Sequence, residues 1–80
     1  SGLGDQKNAM DAFKAGLLED PDHVQLHFNL ARSYESLDRV ENAIRQYKEV
    51  LKRLGDRFAS RKTSIENRIR LLETGADSTQ

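Results

Sequence analysis

His23 and His27 stand four residues apart, a spacing that places two imidazoles on one face of a helix, where a metal ion could use both. A zinc-protease helix also needs a glutamate directly after the first histidine, and here that residue is Val24. No neighbouring cluster offers a third ligand, so the pair reads as packing and solvent-facing side chains, with no metal. The chain has no cysteine, which removes disulfides, thiolate metal sites and cysteine nucleophiles together. There is no glycine-rich phosphate loop, no pair of acids placed across a plausible cleft, and no Ser–His–acid arrangement. Each serine has a turn or surface explanation. These residues predict neither catalysis nor a cofactor.

Length and composition fit that reading. Eighty residues make one small domain at most, and 36% hydrophobic against 32% charged residues leaves little apolar material for a core. No apolar run approaches the ~20 residues of a membrane span, and no signal-peptide core is present. The compartment is left open, with the cytoplasm favoured. Thirteen basic residues balance thirteen acidic ones, which argues against bulk attraction to nucleic acid. The charge is unevenly spread. Residues 1–44 carry four basic and eight acidic side chains, whereas residues 45–70 carry nine basic and three acidic. Such asymmetry can steer an acidic ligand to one end of the molecule. The simpler reading is a solvated face, with Lys48, Lys52, Arg61 and Lys62 lying opposite the apolar stripes. After Tyr47 only Phe58 remains as an aromatic, too few for stacking on bases.

The apolar periodicity is helical throughout and predicts an all-α chain of about four helices, antiparallel to their neighbours. Between Asp5 and Glu19, Ala9, Ala12, Phe13, Gly16 and Leu17 recur at steps of three and four. Pro21 ends that helix, and Asp22 with Gln25 forms a capping-box signature for the next, which should run to about Leu37. Its buried side would hold Leu26, Leu30, Ala31, Tyr34 and Leu37. A third helix starts at Val40 and carries Ala43, Ile44, Tyr47, Val50, Leu51 and Leu54, with Gly55 as a left-handed C-terminal residue. Asp56 caps a fourth, from Arg57 to about Glu73, stopped by Thr74-Gly75. That helix has a thin stripe of Phe58, Ile65, Ile69 and Leu72. Phe58, Ile65 and Leu72 also repeat every seven residues, but Arg61 and Arg68 hold the alternate seam places, which a coiled coil would not tolerate well.

A shift of thirty-four residues brings matching positions together. Ala9 falls on Ala43, Phe13 on Tyr47, Gly16 on Val50, Leu17 on Leu51 and Pro21 on Gly55, while Gly4-Asp5 falls on the turn Asp38-Arg39. Two helices in a period of this length resemble the tetratricopeptide repeat, whose pattern runs W-x₂-L-G-x₂-Y, then A-x₃-F, then P. Here the unit reads His27-x₂-Leu30-Ala31-x₂-Tyr34, then Ala43-x₃-Tyr47, then Gly55, and an earlier partial unit reads Ala9-x₃-Phe13, then Pro21. His27, Ala31 and Gly55 depart from the family's aromatic, glycine and proline. The small Ala31 and Ala43 suit the closest approach of two helices, with Leu30, Tyr34 and Tyr47 filling the space between them.

The resemblance implies a superhelix of helix hairpins. Residues 1–4 would be an expression scar or linker, 5–21 the second helix of a truncated repeat, and 22–56 one full repeat. Residues 57–75 would be a capping helix and 76–80 a disordered tail, so that the chain is the C-terminal piece of a longer array. It further implies a non-catalytic scaffold that binds a protein or peptide on the inner face of the first helix of the unit. On this chain that face presents Gln25, Phe28, Asn29, Arg32, Glu35 and Ser36, with Phe28 as an exposed aromatic anchor. Asn29 matches one member of the carboxylate clamp of chaperone-binding relatives. The other members are missing, since Ala59 and Thr63 stand where Lys and Arg would follow. An alternative role is self-association as a homo-oligomer, through apolar surface left open on the N-terminal helix at Met10, Phe13, Leu17 and Leu18.

Overall fold

The structure, a computed structural model, describes residues 2–75. It contains four helices: α1 (Gly2–Glu19), α2 (Val24–Ser36), α3 (Val40–Arg53) and α4 (Ala59–Thr74), the last preceded by a 3-10 turn at Asp56–Phe58. No strand occurs among the described residues, and the helices form a slab of 34 × 29 × 16 Å. Helix α1 starts earlier than the expected Asp5. Nothing in Gly2–Gly4 removes an amide hydrogen as proline would, and Asp5 in the first turn complements the positive helix end. Gly4-Asp5 therefore lies inside a helix and is not a counterpart of the Asp38-Arg39 turn. The tail at 76–80 lies outside the described residues, as does Ser1.

The α1–α2 turn follows from Pro21, but the capping differs from expectation. The ring Nδ1 of His23 accepts from the Leu26 amide at 3.2 Å and is the N-cap of α2. Asp22 instead accepts from Arg53 Nε at 3.0 Å, and Gln25 donates to Asn29 at 2.9 Å, so the capping box is not made. Between α2 and α3 the chain reverses at Asp38, whose φ of 61° is left-handed, a conformation Asp tolerates better than most side chains. The amide of Arg39 then donates to Tyr34 O at 2.8 Å.

Helix α3 ends without a left-handed residue. Leu54 and Gly55 are extended, with φ of −78° and −82°, so the freedom of Gly55 is unused. Asp56 does not cap α4 either; it sits in the 3-10 turn and pairs with Lys62 at 3.9 Å. At the other end Gly75, with φ of 69°, closes α4 by donating to Leu71 O.

The core holds Met10, Leu30, Ala31, Tyr34, Ala43, Tyr47, Val50, Ile65 and Ile69. Ala31 and Ala43 are wholly buried at the packing of α2 on α3. Gly16 serves the α1–α2 approach in a similar way, because a Cβ there would stand 2.7 Å from Leu26 Cδ1. Two expected stripe residues, Ala12 and Phe58, are exposed, and Leu26, expected on the buried side of α2, is half-buried. Among the described residues the helix backbones approach only between successive helices, α1 on α2, α2 on α3 and α3 on α4.

Candidate functional site

Helix α2 distributes the six inner-face residues over two flanks. Gln25, Phe28, Arg32 and Glu35 turn towards α4, whereas Asn29, Arg32 and Ser36 line a shallow depression of about 330 Å³ against α1. The larger space is a groove of about 700 Å³ between α2 and the start of α4. Gln25 and Phe28 form one wall, and Arg57, Phe58, Arg61 and Ser64 form the other, over Ile65. A second depression of about 300 Å³ adjoins it around Phe28, Arg32 and Tyr47.

Phe28 is half-buried and not a free anchor. Its ring meets Tyr47 edge to face, with centroids 5.9 Å apart at 67°, and the Arg32 guanidinium lies 5.9 Å from its centroid. Phe28 thus packs against the core and also lines the groove.

Glu35 is engaged within the molecule. Its Oε2 accepts from the Tyr47 hydroxyl, and its Oε1 accepts from Arg68 Nε at 2.9 Å and from Arg68 Nη2. Burial alone would raise its pKa. The hydrogen bonds from Arg68 and Tyr47, with the nearby guanidinium charges of Arg68 and Arg32, outweigh burial and hold the carboxyl below its ordinary value. The Tyr47 hydroxyl is pushed well above the usual tyrosine range, first by burial and then by the bond to Glu35 and its negative charge. Glu35 therefore ties α4 to the α2–α3 pair.

The histidines are both structural. His23 caps α2, and buried His27 occupies the aromatic position between the α1–α2 turn and α3. Its ring Nε2 lies 2.7 Å from Pro21 O and its Nδ1 2.7 Å from Gln46 Oε1, so both nitrogens face acceptor oxygens and a neutral ring donates to one of the two. No group of three or more His, Asp or Glu among the described residues could hold a metal ion, and no described helix is long and apolar enough to cross a membrane.

The four residues of the self-association reading do not form one open patch. Met10 is 5% exposed, and Phe13 and Leu17 are half-buried against the core, because α2 itself covers the α1 stripe. Leu18 alone is open, at 86% exposure.

The sequence pattern marks α4 as a cap and does not reveal the wall that it gives the groove. Two signals were available. Phe58 stood at the head of a stripe too thin to bury it, and arginines held seam places that should face a neighbour. Arg68 at such a place asks for a carboxylate on a facing helix, and Glu35 supplies it.

Residues 24–53, which comprise α2, the Asp38 turn and α3, match the family model of the tetratricopeptide repeat. No curated protein and no solved structure matches the chain. The match covers the helix pair in which Ala31 and Ala43 let the backbones close and Tyr34 and Tyr47 fill the gap. The α2–α3 hairpin is thus similar to a tetratricopeptide repeat over those 30 residues.

Proposed function

We propose that the chain is a non-catalytic docking module which receives a peptide segment in the groove between α2 and α4. One observation carries the reading: the groove of about 700 Å³ has an aromatic on each wall, Phe28 and Phe58, and the latter is 44% exposed with no role in the core. Four of the six inner-face residues of α2 belong to this side, and Asn29 and Ser36 stand apart from it. In this reading residues 22–56 are the repeat, and 57–75 close it while supplying the second wall.

The test is to select binders from a displayed random peptide library and to repeat the binding with Ser64→Trp. Ser64 is exposed and lines both the groove and the adjoining depression, so an indole there fills the space without entering the core. Helicity should be unchanged and binding lost. Binders that tolerate the indole would place docking elsewhere.

A further inference from the structure

We infer that the segment the groove takes is acidic, with carboxylates on either side of one large apolar side chain. The inference rests on the groove being the docking site and concerns the chemistry of what enters it.

The charge around the groove is one-signed. Arg57 and Arg61 line it, Arg32 stands at its junction with the adjoining depression, and no acidic residue lines the larger groove. Glu35, in the adjoining depression, is already held by Arg68 and Tyr47. The ion pairs of the described residues involve Lys48, Lys52, Arg53, Lys62 and Arg68. Arg32, Arg57 and Arg61 therefore have no carboxylate within 4.0 Å among the described residues. Two of them lie over the aromatics of the groove: Arg57 is 5.2 Å from the Phe58 centroid and Arg32 is 5.9 Å from that of Phe28. Their guanidiniums consequently stand at the edge of apolar surface. A carboxylate bound there would be paired by a planar donor fork beside a partly desolvated ring, where charge-assisted bonds are strongest.

The floor specifies the other half of the ligand. Ile65 is buried beneath the walls formed by Phe28 and Phe58, so the middle of the groove rewards an aliphatic or aromatic side chain and would strand a charged one. Ser60 and Ser64 provide hydroxyls at the same wall for backbone groups of the segment. A nucleic-acid strand fits less well. Phe28 is engaged with Tyr47 and Arg32, the Arg57 guanidinium stands over the Phe58 ring, and three arginines fall short of the several phosphate contacts such binding uses.

The experiment pans one random peptide library in parallel against the chain and its Arg57→Glu/Arg61→Glu variant. Both positions are exposed, and circular dichroism checks that the fold is kept. Peptides taken by the parent should be enriched in Asp and Glu flanking a Phe, Leu or Trp. Their affinity should fall with added salt and drop by about tenfold or more in the variant. Neutral or basic peptides that bind and are blocked by Ser64→Trp would overturn the acidic assignment while leaving the docking groove standing. If Ser64→Trp blocks none of the selected peptides, both readings fall. Tighter binding of an oligo-dT strand than of any selected peptide, lost in the double variant, would overturn the assignment in favour of nucleic acid.

Discussion

The carboxylate of Glu35 on α2 accepts from the Tyr47 hydroxyl of α3 and from the Arg68 guanidinium of α4, so one side chain joins three helices. From the sequence it appeared as an inner-face residue awaiting a partner, because nothing in a linear pattern shows that a position 33 residues away faces it. Folding lowers its pKa below the ordinary 4.5, so the folded state binds this proton less readily than the unfolded chain. The contribution to stability is therefore complete above pH 4.5 and is lost as the pH falls through the lowered value. Glu35→Gln carries no such proton. Urea denaturation should show the parent more stable than Glu35→Gln at neutral pH, with the gap closing on acidification below pH 4.5. A gap that stayed constant across the acid range would mean that shape, and not charge, holds the three helices together.

At the scale of elements, what the sequence made legible was the interior of each helix. Periodicity located Leu30, Ala31, Tyr34, Ala43, Tyr47 and Val50 in the core, since one repeating face must be buried. The helix ends were less legible, because several residues compete for each cap. Asp22 was the better cap by type, yet Arg53 draws its carboxylate away and His23 caps instead. Gly55 was the better left-handed residue, yet the chain leaves α3 extended and enters a 3-10 turn. The groove was legible only on its α2 side for the same reason: its other wall depends on how α4 turns after that exit. The start of α3 remains a weak end, for Arg39 is its N-cap with no side-chain bond, and its positive charge opposes the helix dipole. Arg39→Ser places a hydroxyl where it can accept from the amide of Glu41 or Asn42 and removes that charge. Thermal unfolding should show a gain of about 0.5–1 kcal/mol. A loss would mean that the Arg39 side chain makes a contact worth more than the cap.

Among the described residues the backbones meet only between successive helices, so each helix depends chiefly on the one before and after it, as in repeat arrays. Helix α4 is the informative case. Its buried residues are Ile65 and Ile69, and the side-chain bridge from Arg68 to Glu35 is its polar tie to α2. Ile69→Ala removes buried apolar volume from that seat and should cost about 2–4 kcal/mol. In a globule with a single shared core, that loss would lower protection from hydrogen exchange in every helix alike. In a linear stack it falls first on α4, because α1 and α2 keep their own contacts. We expect the amides of α4 to exchange much faster in Ile69→Ala while those of α1 and α2 change little. Equal loss throughout would show one cooperative core and would sink the linear picture. The distinction reaches the docking site, since one wall of the groove belongs to α2 and the other to α4, whose backbones do not touch. An α4 that opens locally takes Arg57, Phe58 and Arg61 away from Phe28 while the repeat stays folded. Binding in Ile69→Ala should therefore fail at temperatures where α2 and α3 remain helical, and a peptide seated in the groove should in turn slow exchange along α4.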